Sequence, residues 1–315
     1  MSAEKQYKYP SINNFNKKSV FAGEWIAEEK IHGANMSFHV DCKLGSIRVA
    51  RRNDFLEPED KFYNYKQILD KHEKNIINLC NDIKSNHTGL FETIIIYGEI
   101  FGGNPPVQKD IYYSDNYEFI PFDIAVASAN KKSWLEWEHS RDLFKKHEFL
   151  IIPLIARDSF EKISSLSPEF NSLIPSLFQK DFDKTNIAEG YVIRPVKNTF
   201  DAYNRRILFK IKNPKFGEIK IKTNKSPNTS DTNTSDTNLL SIVENMKDYI
   251  TENRLNNVKS KLLENNLNNS MLLAGKLTSD ILNDYSINNN LSRDSYTKKI
   301  KELLHKECLM FVMSR

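Results

Sequence analysis

Lys30 sits in Glu29-Lys30-Ile31-His32-Gly33-Ala34-Asn35, directly after the apolar run Trp25-Ile26-Ala27. The run predicts a strand and the glycine a turn, so the lysine stands where the chain leaves a strand. Further residues with chemical potential follow in order. Glu99 lies in Ile96-Tyr97-Gly98-Glu99-Ile100-Phe101-Gly102, and Phe122 and Asp123 lie in Phe119-Ile120-Pro121-Phe122-Asp123-Ile124. Glu189 opens Glu189-Gly190-Tyr191-Val192-Ile193-Arg194-Pro195, and Lys210 and Lys212 lie in Ile207-Leu208-Phe209-Lys210-Ile211-Lys212-Asn213. A lysine acts as a nucleophile only when neutral. At an ordinary pKa of about 10.4, about one in 2,500 is neutral at pH 7, a handicap of roughly 4.6 kcal/mol. Neighbouring cations or loss of solvent must reduce it. Lys210 and Lys212 are two apart on a predicted strand, which puts both on one face and Ile207, Phe209 and Ile211 on the other. They are the candidate cations, and a bound divalent metal would add to their effect. Glu29, a strand neighbour of Lys30, should point the opposite way.

Each residue has a plain alternative. Lys30 could be a solvated strand end, Lys210 and Lys212 the wet face of an edge strand, and Glu99 half of a structural ion pair. Glu189-Gly190 could be a simple turn, Phe122 core, and His32 a satisfied hydrogen-bonding histidine. Their occurrence together, in this order, argues for joint chemistry.

The elements that must position these residues are legible in outline. Residues 38–40 and 46–50 read as a hairpin around Lys43-Leu44-Gly45, and residues 93–100 as a buried strand. Residues 191–195 and 206–212 read as two more strands. Residues 66–83 and 133–146 carry apolar side chains at helical spacing. The mixture predicts an α+β fold, with antiparallel sheets flanked by helices, over residues 1–222. Residues 226–237 are a tandem repeat of small polar residues, so residues 223–238 read as a flexible linker. Beyond it, Leu239, Ile242, Val243, Met246 and Ile250, and later Ile300, Leu303, Leu304, Phe311 and Val312, recur at helical spacing. Residues 239–315 therefore predict a small, mostly helical domain.

Composition bounds the function. The 315 residues are 39% hydrophobic and 27% charged with a formal net charge of +4, an ordinary soluble balance that permits an anionic partner without demanding one. Cys42, Cys80 and Cys308 lack metal-ligand spacing and read as reduced thiols, which suits a cytoplasmic setting. Neither a secretory leader nor a membrane-length apolar run is expected. Enrichment in Asn, Lys and Ile suits an AT-rich genome, such as that of a virus or phage. Nothing in the sequence requires a partner subunit, so a monomer is expected.

The ordered motifs resemble the covalent nucleotidyltransferases, a superfamily of polynucleotide ligases and mRNA-capping enzymes. Within it, Lys30-Ile31-His32-Gly33-x-Asn35 carries His where most members have Asp. That form is similar to the ATP-dependent double-strand RNA ligases of the RNA ligase 2 type found in T-even phages. Gly23-Glu24-Trp25-Ile26-Ala27 and Lys212-Asn213-Pro214-Lys215-Phe216 fit the same family, as do Asn253-Arg254-Leu255-Asn256-Asn257 and Leu277-Thr278-Ser279-Asp280-Ile281-Leu282. The resemblance implies a nucleotidyltransferase core, ATP-grasp-like, followed by an all-helical domain in place of the OB-fold barrel usual in DNA ligases and capping enzymes. It implies ATP as cofactor with Mg²⁺ (or Mn²⁺), and a nicked duplex containing RNA as substrate.

By the same resemblance Lys30 attacks the α-phosphate, AMP passes from Lys30 to the 5′-phosphate of a nick, and the 3′-hydroxyl then displaces AMP. Glu29, Ile31 and His32 belong to the nucleotide site, the first two through their backbones. Asn35 and Arg52 act near the AMP phosphate and the nick, Glu99 holds the ribose, and Phe122 stacks on adenine. Lys210 and Lys212 grip the α-phosphate, and Glu189 helps place the metal. Arg254, Asp280 and Asp284 contact the nick or close over it, their alternative being an internal salt-bridge set. Ala34 departs from the Thr common in the family, and Arg51 stands where a lysine usually precedes Arg52. The competing readings are a GTP-using capping guanylyltransferase, a DNA ligase, and a non-catalytic RNA-binding protein that kept the fold.

Overall fold

A computed structural model describes residues 6–15, 21–86, 89–128, 131–178, 186–216, 242–262, 266–288 and 296–315. The expected linker, 223–238, lies outside the described residues. Two compact units emerge, Met1–Asn213 and Pro214–Arg315.

The first unit contains two five-stranded sheets among its described residues. In one, β1 (Asn13–Asn14) pairs in parallel with β10 (Phe209–Lys212), which is followed by β9 (Gly190–Pro195), β2 (Glu24–Glu29) and β8 (Leu154–Ser159), all antiparallel. The other runs β4 (Ile47–Arg51), β3 (Ala34–Asp41), β5 (Thr93–Gly102), β6 (Tyr117–Ser128) and β7 (Lys131–Trp134), antiparallel throughout. The run Ile94-Ile95-Ile96-Tyr97 is apolar at every position because β5 is covered on both faces. Ile94 and Ile96 enter a core shared with helix α1 (Tyr65–Asn86) and α2 (Trp137–Lys146). Ile95 and Tyr97 enter a second core with Tyr9, Ala125 and Leu208, against which Val192 and Trp134 pack, so that core lies between the two sheets. A third core, with Trp25, Ala27, Tyr191 and Ile193, covers the far face of the first sheet under α3 (Phe160–Ser164). Alternation then forces Lys210 and Lys212 away from the third core, since Phe209 and Ile211 pack on it.

A bulge interrupts β5 and β6. Gly98 pairs with Pro121 and Tyr97 with Asp123, leaving Phe122 as the extra residue. The parity of β6 therefore changes. Phe119 and Ile124 face the helical core, while Phe122 packs on the inter-sheet core beside buried Asp123.

The elements β1, β8 and α3 were not expected, and two further differences concern the second sheet. Residues 133 and 134 belong to β7, not to the following helix, which begins at Trp137. Their backbone pairs with Ala125 and Val126, and this ladder overrides the local apolar spacing. The strand β6 was not signalled as an element because it too is buried on both faces and shows no alternation.

The second unit has no strand among its described residues. It comprises a helical stretch at 242–247 and helices α4 (Glu252–Lys259), α5 (Ser270–Asn288) and α6 (Lys298–Met313). Met246, Leu255, Leu277, Ile281, Leu304 and Cys308 form its core. The Thr251 and Thr297 hydroxyls cap α4 and α6 by accepting from the Arg254 and Ile300 amides. The Arg254 side chain, 1% exposed, donates to Asp280 at 2.5 Å, to Asp284 at 3.0 Å and to the Tyr249 carbonyl at 3.1 Å. The structure thus gives Arg254 an internal position tying α4 to α5, because a guanidinium this deep must be paired. Removing it would leave Asp280 and Asp284, both half-buried, without their shared cation. Arg254→Ala should cost the second unit about 3 kcal/mol. Thermal loss of far-UV circular dichroism would show it, and an unchanged melting curve would contradict the clamp.

Candidate nucleotide site

The turn after β2 is held from several directions. The Lys30 amide donates to the Gly190 carbonyl at 2.9 Å, and the Asn213 amide donates to the Glu189 carbonyl at 2.9 Å. The His32 amide donates to the hydroxyl of fully buried Tyr113 at 3.1 Å, and the Gln108 side-chain amide donates to the Gly33 carbonyl at 3.4 Å. Gly33 is required by closeness: a Cβ there would lie 2.2 Å from the Ile100 carbonyl oxygen. Gly190 has φ +132° and a Cβ would sit 2.1 Å from the Ile211 oxygen, so β9 and β10 approach as only glycine allows.

At the centre stands Glu189, its side chain 4% exposed. One carboxylate oxygen receives Lys30 Nζ at 2.7 Å and faces His32 Nδ1 at 3.0 Å; the other receives Lys212 Nζ at 3.1 Å. Burial acts to raise the Glu189 pKa, but Lys30, Lys212 and His32 outweigh it and hold the carboxyl well below its usual range. Two ammonium groups separated by one carboxylate form a compact cationic site. Lys212 is therefore within reach of the lysine it was expected to assist, with Glu189 between them. Lys210 lies two residues earlier on the same face of β10, half-buried.

Asn35 and Glu99 are register partners on β3 and β5, and the Asn35 side-chain amide donates to the Gly98 carbonyl at 3.4 Å. Burial pushes Glu99 up to about 7, with Lys30 and Arg52 opposing and Glu189 reinforcing the shift. Those influences place Glu99 in the neighbourhood of Lys30, Glu189 and Arg52. Arg52 follows β4 and donates to the Ser11 hydroxyl at 3.1 Å, whereas Arg51 is buried and reaches Asp54 at 3.5 Å. Ile31 is buried. The Glu29 carboxylate points away from Lys30, as alternation requires, and accepts from the Ser172 hydroxyl and, at 2.8 Å, from the Leu173 amide. Burial raises Glu29 to about 7 despite these donors.

Phe122 belongs to a second polar node. It meets Tyr9 edge-on at 4.9 Å and lines a pocket with Glu28, Trp137, Arg141, Ile152 and Arg194. Beside it, fully buried Asp123 accepts from Tyr9 (2.6 Å), Arg194 (2.9 Å) and Arg206 (2.6 Å). Burial opposes its charge, but the two guanidinium groups prevail and hold the carboxyl below its usual range. Lys30, His32, Glu189 and Lys212 thus meet directly, with Glu99, Asn35 and Arg52 around them. Arg254, Asp280 and Asp284 lie in the other unit.

Sequence reasoning missed Ser11, Tyr9, Gln108, Tyr113, Ser172, Arg194 and Arg206. None has a local motif; each is recruited by long-range pairing.

The family model for RNA ligase matches residues 23–212, and that for the T4 RNA ligase 2 C-terminal region matches residues 233–310. The chain belongs to the RNA ligase family. Among curated proteins it is similar to RNA-editing ligase 2, mitochondrial, of Trypanosoma brucei brucei, at 24% identity over 59% of this chain and 54% of the relative. It is also similar to RNA-editing ligase 1, mitochondrial, from the same organism, at 22% identity over 66% and 53%. The chain spans about half the length of these relatives. Among solved structures, a Naegleria gruberi RNA ligase variant with ATP and Mn matches with TM-score 0.44 and 16% identity, over 62% of this chain and 50% of that one. Among the described residues, no helix of this RNA ligase family member is long and apolar enough to cross a membrane.

The raised Glu99 pKa has a stability consequence with a definite sign. Between its unfolded value near 4.5 and its folded value of about 7, the folded chain binds the extra proton, so stability falls as pH rises. Glu99→Gln should therefore gain about 3 kcal/mol over the native chain at pH 8 and nothing at pH 4. Urea unfolding followed by tryptophan fluorescence reads this directly, because Trp25, Trp134 and Trp137 all lie in the first unit. A difference independent of pH would refute the assignment.

Proposed function

We propose that this chain is an ATP-dependent RNA ligase that seals 3′-hydroxyl/5′-phosphate nicks in duplex RNA through a covalent lysyl-AMP on Lys30. The observation that carries the reading is the pair Lys30 and Lys212 sharing the buried Glu189 carboxylate, on the motif of an RNA ligase family member. An incoming triphosphate would compete with Glu189 for both ammonium groups. In the first step a Lys30 Nζ–phosphorus bond forms as the bond from the α-phosphorus to the bridging oxygen breaks. Pyrophosphate leaves with the electron pair, and Lys30 Nζ, an ammonium while paired with Glu189, releases two protons to solvent in all, one before it attacks and one as the phosphoramidate forms. AMP then moves to the nick 5′-phosphate, and the 3′-hydroxyl attacks that phosphate and expels AMP.

In this reading Lys210 and Lys212 neutralise charge on the α-phosphate, where positioning and electrostatics do most of the catalytic work. The backbones of Glu29 and Ile31 meet the adenine, Phe122 stacks on it, and Glu99 accepts from the ribose. His32 keeps Glu189 oriented, while Asn35 and Arg52 serve the phosphate and the nick. Glu189 and Glu99 are oxygen donors of the kind a cation of the Mg²⁺ type takes together with phosphates and water. Glu189, with Glu99 near it, would hold Mg²⁺, which offsets charge on the leaving pyrophosphate. The duplex is read through its backbone and 2′-hydroxyls, giving weak sequence preference and strong salt dependence. In this reading the enzyme acts as a cytoplasmic monomer.

Incubation with α-phosphate-labelled ATP and Mg²⁺ should place label on Lys30, as mass mapping of the denatured protein would reveal. Lys30→Ala should reduce labelling and sealing of an ordinary nick below detection. It should spare sealing of a pre-adenylylated nick, a step that needs no lysine nucleophile. Sealing of the ordinary nick by Lys30→Ala with ATP would end this reading.

A further inference from the structure

Residues 6–15 precede the part of the chain that matches the RNA ligase family model, yet they contact the nucleotide site at three places. Near Arg52, the Gln6 side chain donates to the Arg51 carbonyl at 2.8 Å, and Arg52 Nη2 donates to the Ser11 hydroxyl at 3.1 Å. Near Phe122, Tyr9 lies edge-on to the ring at 4.9 Å and its hydroxyl donates to Asp123 at 2.6 Å. Near Lys210, β1 runs parallel to β10 with Asn14 opposite Lys210, and the Phe15 amide donates to the Lys210 carbonyl at 3.2 Å. The segment is anchored between these points by the Tyr97 hydroxyl, which donates to the Tyr7 carbonyl at 2.6 Å, and by the Tyr7 hydroxyl, which donates to the Ser128 carbonyl at 3.0 Å. Tyr9 is buried, so the strap has a hydrophobic anchor as well as polar ones.

We propose that this segment is a positioning strap for the nucleotide site and that Ser11 is a positioning residue acting through Arg52. The inference rests on the functional reading above, in which Arg52 serves the phosphate and the nick. An arginine carries much rotamer freedom, which binding must remove unless the protein has already removed it. Ser11 restricts that freedom in advance. Its hydroxyl is a neutral acceptor, so it orients the guanidinium without cancelling the charge a phosphate needs; a carboxylate in its place would do both.

The test is a double-mutant cycle on the full chain. Formation of labelled lysyl-AMP, sealing of a nicked RNA duplex and sealing of a pre-adenylylated nick are timed for Ser11→Ala, Arg52→Ala and the double variant. Ser11→Ala should slow whichever step Arg52→Ala slows, by about fivefold. Thermal unfolding should not change, because Ser11 is exposed. The double variant should be no slower than Arg52→Ala alone, and Ser11→Thr, which keeps the hydroxyl, should restore the native rate. An equal slowing by Ser11→Ala with and without Arg52 would show that the two act independently and overturn the inference. So would normal kinetics for Ser11→Ala where Arg52→Ala is impaired. Should Arg52→Ala leave every step intact, the inference falls with the assigned role of Arg52. A native chain that forms no lysyl-AMP would instead identify the functional reading as the part that failed.

Discussion

The buried Glu189 carboxylate is the constraint on which the candidate site depends. A carboxylate removed from water is costly unless cations and donors surround it, and Lys30, Lys212 and His32 meet that requirement together. The requirement works in the other direction as well. Two lysine ammonium groups would repel one another at this separation, and the carboxylate between them is what allows both to point into one place. Three elements far apart in the chain, the turn after β2, the start of β9 and the end of β10, are thereby fixed relative to one another. The glycine contacts at Gly33 and Gly190 let those backbones come close enough for the side chains to meet.

The scaffold follows from sheets covered on both faces. Because β5 contributes Ile94 and Ile96 to one core and Ile95 and Tyr97 to another, the strand that carries Glu99 is packed on both faces. The bulge at Phe122 adds a second effect. It lets Phe122 and Asp123 serve the same side of β6, so an aromatic platform and a buried ionic node are neighbours. Asp123 then binds Arg194 of β9 and Arg206 of the segment before β10, linking the two sheets. The same logic operates in the helical unit. There Arg254 joins α4 to α5 through two acids and a carbonyl, and its burial assigns it to holding the unit together.

Much of the fold was legible because it is written in short-range pattern. The hairpin of β3 and β4, the buried strand β5, the strands β9 and β10, and the long helix α1 all have the period or turn chemistry that local sequence can show. The β6 and β7 strands did not, since the first is apolar on both faces and the second is a four-residue strand whose apolar spacing also suits a helix. Within the site, Lys30, Glu189 and Lys212 were legible from residue type and order. Their direct meeting at one carboxylate was not, nor were Ser11 on Arg52, Tyr113 beneath His32 or Ser172 on Glu29.

The sequence by itself determined membership of a family, the order of its motifs, the face of β10 that carries Lys210 and Lys212, and the helical character of the second unit. These depend on residue identity and on periodicities of two and 3.6, which are properties of neighbours along the chain. Only the tertiary structure decided which charge meets which, that Arg254 is buried inside its unit, and that Glu29 and Glu99 titrate near neutrality while Glu189 and Asp123 remain ionised. Those outcomes turn on desolvation and on cations brought from distant segments, and neither is encoded in any short stretch of sequence.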